Sequence, residues 1–399
     1  MNEARIQRRS LRGGATHAVA LAALVLASVA APKAAIARGV SSTVAEPCEG
    51  SSDPTLYPNN HRLLVTSSGR WLALFDPAGS GLQLAWRDGA GAWSTKSVFE
   101  GVTDEQTSDR PASIALDGRG HAWVVWSGYN FKAPLPLRLR RLTNLDAADG
   151  PALGPVVTVH PTGRGNAFAD LAFRRGRGFI VWLQRKGKDS YALKAIEFKG
   201  LGSARPSFRH ERTLYKGSSP YSAGTLVSTR AGMRIVAQAG RVKVFFRRPG
   251  ARWKAGRDGA GAYEKARPSA VAFRRDILAA FPASENVVKV VRFTNKGTRA
   301  RKSLVTHGGF AHASLASSDS KAWVVMVARA QRSVVSRRFN GFRWGRVVTE
   351  LRANATNGGD YQYPNTVREA KRKLRFIVDA KQCPKIAIKN AVLAYQRSV

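Results

Sequence analysis

Pro111-Ala-Ser-Ile-Ala-Leu-Asp117-Gly118-Arg119-Gly120-His-Ala-Trp123-Val-Val-Trp126-Ser-Gly128 places two apolar runs, Ala112 to Leu116 and Ala122 to Trp126, on either side of an Asp-Gly-Arg-Gly turn. Val and Trp suit a pleated, buried surface and the Gly-rich link suits a tight reversal, so the stretch reads as a β-hairpin. The same unit recurs. Second runs begin at Trp71, Trp123, Phe179, Met233, Ile277, Trp323 and Leu374, between 44 and 56 residues apart. Each hairpin is followed by a third strand-like run, such as Leu82 to Arg87 or Val334 to Phe339. Most units add a fourth, such as Trp93 to Phe99 or Trp344 to Val348. Four short antiparallel strands repeated at this period predict an all-β, seven-bladed β-propeller of four-stranded blades, with a six-bladed ring as the alternative.

The N-terminus has a different character. Arg5, Arg8, Arg9 and Arg12 precede an uncharged run of 14 residues, Ala18 to Ala31, and then Ala35-Ile36-Ala37. A basic start, an apolar stretch of this length and a small-x-small site make residues 1–37 a secretory signal peptide, by the Sec or the Tat route. The expected location is therefore extracellular, periplasmic or in the cell envelope, with no transmembrane segment in the mature chain. Residues 38–58 form an N-terminal segment expected to close the last blade, and 59–399 form the propeller. The seventh unit lacks a fourth strand of its own, which the stretch from Val40 to Glu46 could supply. Cys48 and Cys383 would then meet as a disulfide across the closure, as two thiols of an exported protein without metal-ligand spacing favour.

Sixty-five Lys and Arg against 26 Asp and Glu give a net charge of +39, beyond what solubility needs. Outside a cell this excess points to polyanionic partners such as acidic polysaccharide. Antiparallel alternation sends the first-to-second and third-to-fourth turns to one end of the ring, the turn face. Second-to-third loops and the connections between blades lie at the other end, the loop face. The turn face carries Arg70, Arg119, Arg174, Arg175, Arg230, Arg274, Arg275, Lys321, Lys371, Arg372 and Lys373, and is expected to be a basic disc that binds polyanions. The loop face collects tyrosines: Tyr129 and Tyr191 between second and third strands, and Tyr221, Tyr263, Tyr361 and Tyr363 between blades. With Asp109, Arg110, Arg267 and His312 near the channel mouth, these are the expected ligand-binding residues for glycans or proteins.

The unit Pro111 to Trp126 resembles the repeats of secreted bacterial sialidase-like propellers of the Asp-box type. The motif Ser-x-Asp-x-Gly-x-x-Trp is nowhere intact; Ser317-Ser-Asp319-Ser-Lys321-Ala-Trp323 has Lys for Gly and one residue too few. The resemblance implies the propeller architecture and, as an alternative function, a glycoside hydrolase or lyase, for which Arg62, Arg110 and Arg267 are the carboxylate-binding candidates. Tyr263 with Glu264 would be the nucleophile pair, and Asp109 the acid. No phosphate loop, calcium loop, zinc spacing or Gly-x-Ser-x-Gly elbow occurs in the sequence, so neither cofactor nor metal is expected. The reading is an exported binding module for extracellular or cell-envelope glycans or polyanions, without catalysis. A scaffold for protein partners is a further alternative.

Overall fold

In a computed structural model of the chain, the described residues are 40–45 and 61–398, apart from 76–80, 89–90, 100–111, 128–135, 161–164, 204, 220–221, 248–251, 262–267, 285–286, 298, 306–309, 319, 329–330, 353–359, 368–372 and 382–390. Among them there are seven four-stranded antiparallel sheets and no helix long and apolar enough to cross a membrane. Blades 1 to 6 are residues 63–97, 112–160, 166–217, 224–260, 269–305 and 310–352. In each, the strands lie in chain order. Blade 7 takes three strands from 360–398 and its outermost strand from Val40–Ala45, which runs antiparallel to Ala391–Ser398 with Ser41 opposite Tyr395. The two ends of the propeller are thus hydrogen-bonded in one sheet.

The hairpin of blade 2 shows how the sequence makes the unit. Ala112 pairs with Trp126 and Leu116 with Ala122. Between them the Asp117 carboxylate is buried and gathers the turn. Its Oδ1 accepts from Arg119 N at 2.7 Å and His121 N at 3.2 Å, while Oδ2 accepts from Trp123 Nε1 at 3.2 Å. Gly118 and Gly120 have φ of +79° and +87°, a region that side chains disfavour. The Asp-Gly-Arg-Gly spacing is what this turn requires.

Strands buried on both faces read as continuous apolar runs, and each face meets a neighbouring blade. Each seam is filled by an apolar cluster, with a second, smaller one between blades 3 and 4. Between blades 2 and 3 the cluster holds Trp123, Trp182, Ile180 and Phe198. Between blades 7 and 1, Ile377 and Ala394 pack with Leu63, Trp71, Ala73 and Phe75, so the ring closes through side chains as well as through the shared sheet. Small residues permit close approach: a Cβ on Gly178 would fall 2.0 Å from the Phe198 ring.

Around the axis, buried polar residues lie just before or within each innermost strand, among them Arg62, Ser113, Asp170, Thr225, Ser269, Ser314 and Thr366. Several stitch one blade to the next. Ser113 Oγ donates to Ala169 O (3.0 Å), Leu226 N to Asp170 Oδ2 (2.6 Å), Thr225 Oγ1 to Pro268 O (2.5 Å), and Leu315 N to Ser269 Oγ (3.0 Å). These bonds satisfy groups that packing has removed from water. Across the axis, His61 Nδ1 lies 2.7 Å from Asp170 Oδ1, joining blade 1 to blade 3. His61, two residues before its strand, and Phe168 and His312, each at a register irregularity within its strand, have φ between 45° and 53°, a left-handed conformation uncommon for such residues.

Candidate binding faces

At the turn face, arginine crosses every seam. From blade 1, Arg70 donates through Nη1 to Leu145 O (3.0 Å) and Ala147 O of blade 2, and through Nε and Nη2 to Asp88 at 2.6 and 2.7 Å. Arg141 reaches Leu201 O (3.2 Å) and Gly202 O (2.8 Å) of blade 3. Arg174 donates to Thr229 O and, at 2.8 Å, to Arg230 O of blade 4. Arg234 reaches Asn295 O of blade 5 (2.8 Å), and Arg274 reaches Asn340 O of blade 6 (3.3 Å). Glu350 of blade 6 receives Arg397 of blade 7 at 2.7 and 2.9 Å, and Arg375 of blade 7 lies 5.5 Å over the Trp71 ring of blade 1. The planar guanidinium fork suits this work because carbonyls at strand ends have no ladder partner.

A buried carboxylate anchors the seam between blades 3 and 4. Glu197 accepts from Arg177 of its own blade and from Arg247 Nη1 of blade 4 at 2.7 Å. Burial alone would raise its pKa, but the hydrogen bonds from Arg177 and Arg247 outweigh burial and hold the carboxyl below its usual value. Burial also lowers Arg234, to about 10, which leaves it protonated at neutral pH.

These clasps correct part of the expected basic disc. Arg70 is buried and the half-buried Arg174 spends hydrogen bonds on the next blade, so both act as structural clasps, whereas Arg274 also bonds the next blade but stays exposed. Arg119, Arg175, Arg230, Arg275 and Lys373 are exposed, and Lys321 is half-buried. Lys371 and Arg372 lie outside the described residues. The described carboxylates of this end are mostly engaged: Asp88 with Arg70, Asp117 in its turn, Asp146 with Thr66 and Ser68, Asp276 with Arg292, Glu197 and Glu350 as above.

The loop face departs further from expectation. Tyr191 is the second residue of the strand Ser190–Lys199, 8% exposed, packed with Ala167, Phe168, Leu183 and Ala223. Its ring is spent on the core, which corrects its assignment as a surface anchor. Tyr361 and Tyr363 fall within the innermost strand Asp360–Thr366, whereas the sequence had placed them in a connection. His312 is half-buried within its strand, Phe310–Ser317, at a break in the register between Ala311 and Ala313. Tyr129, Tyr221, Tyr263, Asp109, Arg110, Arg267, Glu264, Cys48 and Cys383 lie outside the described residues. Arg62 is fully buried.

Sequence reading missed Asp170, the buried partner of His61. The signal was available: an acid inside the otherwise apolar run Ala167-Phe168-Ala169-Asp170-Leu171-Ala172 has to find a buried partner.

No protein-family model and no curated protein matches the chain. Among solved structures, BBS1N in complex with ARL6DN is similar over 90% of this chain and 97% of its own, with a TM-score of 0.52 at 9% identity. A protein of unknown function from Dyadobacter fermentans matches over 72% of this chain and 94% of its own, at 0.49 and 14%. The fucose-specific lectin from Aleuria aurantia matches over 73% and 95%, at 0.45 and 14%. The first of these likenesses concerns the fold alone; the sheets and seams described above make the chain an all-β propeller of seven four-stranded blades.

Proposed function

We propose that the chain is an exported, non-catalytic binding module whose turn face takes acidic glycans or other polyanions outside the cell or in its envelope. The observation that carries this reading is the mismatch of charge at that face. Its described carboxylates are mostly consumed by clasps and turns, while Arg119, Arg175, Arg230 and Arg275 stand exposed on four consecutive blades. Positive charge spread over a rigid rim attracts a polymer of negative charge through many weak contacts, with release of its counterions. The leader of residues 1–37 supports the placement outside the cytoplasm. The hydrolase reading gains nothing from the geometry, since Arg62, its one candidate among the described residues, is buried.

The test is a binding series with polygalacturonate, a teichoic-acid-type polyphosphate and a neutral glucan, each from about 50 to 200 mM salt. Affinity for the two acidic polymers that falls steeply with salt, with none for the glucan, is expected. Equal affinity for the neutral polymer would overturn the reading.

A further inference from the structure

The seam between blades 2 and 3 is apolar through most of its depth and turns polar at its loop-face end. Alternation along the strand Arg177–Gly187 turns Ile180 and Trp182 toward blade 2, and Gln184 follows on the same side. Trp182 pairs with Lys194 on the next strand, which continues that face. Asn166 Oδ1 accepts from Trp182 Nε1 (3.1 Å) and Gln184 Nε2 (3.2 Å), and all three residues are fully buried. On this floor lies His160, the last residue of the outer strand of blade 2. Its ring is 3.5 Å from Gln184 Nε2 and centred 5.9 Å from the Trp182 ring.

Charge at this place is out of balance. Glu211 is ion-paired with Lys194, and its Oε2 is 3.9 Å from His160 Nε2. Lys186 feels Lys194 and Lys216 as well as Glu211, so three ammonium groups share one carboxylate. Burial, and then Lys194, lower the Lys186 pKa. Burial lowers His160 too, with Lys194 and Lys186 adding to it and Glu211 opposing, which leaves the imidazole neutral at pH 7. Like charges held together on strands repel one another, and a second anion would relieve them.

We infer that the loop-face end of this seam is an oxyanion site in which Lys186 and Lys194, with His160 beside them, take the carboxylate of an acidic sugar or a phosphate group. A point charge on a flexible stem is suited to either oxyanion, and the buried Asn166–Trp182–Gln184 floor holds the imidazole against the lysines. The inference is independent of the turn-face proposal and stands or falls without it.

The His160 imidazole resonances report on the site, assigned with the His160→Gln variant and followed by NMR in the whole protein. A galacturonate trimer, inorganic phosphate and a neutral galactose trimer are added in turn. At least one anion should shift His160 saturably and raise its titration midpoint, because added negative charge favours the imidazolium. Saturation by the uronate alone assigns an acidic glycan, and saturation by phosphate alone assigns a phosphate polymer. Lys186→Gln, at an exposed position, should weaken that binding on the order of tenfold with the fold unchanged. Reversal of Arg119, Arg175, Arg230 and Arg275 should leave it untouched. If neither anion moves His160, or if Lys186→Gln binds as tightly as the parent, the site does not exist.

Discussion

Positive charge is handled in opposite ways at the two ends of the ring. At the turn face it is arginine, and a large share is absorbed by carbonyls and carboxylates of adjacent blades: Arg70 on Leu145 O, Arg174 on Arg230 O, Arg247 on Glu197. At the loop-face end of the seam between blades 2 and 3 it is lysine, with Lys186, Lys194 and Lys216 around Glu211. A guanidinium has five donors in a fixed plane and can become part of the frame. An ammonium without enough acceptors stays a source of repulsion. The sum of charges in a sequence therefore does not measure the charge a surface can offer.

Removing the centre of an arginine clasp should have the largest effect. Glu197→Ala leaves Arg247 partly buried without its carboxylate, and should cost about 3 to 5 kcal/mol in urea unfolding. The same carboxylate gives stability a direction with pH. Its folded pKa lies below the unfolded value of about 4.3, so its contribution is complete above that value and is lost as pH falls through the folded pKa. Glu197→Gln should flatten this acid limb of a thermal-stability profile.

A smaller loss is expected for Arg70→Lys, about 1 to 3 kcal/mol by the same unfolding assay, because lysine keeps the charge but cannot reach Asp88 and the Leu145 carbonyl in one plane. Full stability in this variant would mean that charge alone, and not the fork, holds blade 1 to blade 2. The smallest effect should have the opposite sign. Lys186→Gln removes one of the crowded ammonium groups and should raise stability by a few tenths of a kcal/mol, the scale of exposed charge pairs. A loss of stability there would erase the contrast between the two ends.

The fold was largely legible because its second strands are buried on both faces. Apolar runs starting at Trp71, Trp123 and Trp323 stand out between polar or Gly-containing turns, and they lie in the second strands Trp71–Phe75, Ala122–Ser127 and Ala322–Ala328. The partners across seams were not legible. His61 and Asp170 are 109 residues apart, and Arg70 and Leu145 are 75 apart, so only the packing of one blade against others brings them together. Tyr191 was misread because a tyrosine two residues past an exposed turn looks like a loop residue, whereas the strand has already begun and turns its ring inward. The turn-face arginines were visible as a charge pattern, but which of them face solvent depends on the packing of adjacent blades.

The most direct test of the proposed function is the salt dependence of polygalacturonate binding by the parent protein and by a variant with Arg119, Arg175, Arg230 and Arg275 all changed to Glu. The expected result is a variant that melts like the parent, since these side chains are exposed, binds the polymer far more weakly, and shows a flatter plot of log affinity against log salt. A variant that keeps the parent's affinity and salt slope would contradict the assignment of the turn face as the polyanion site.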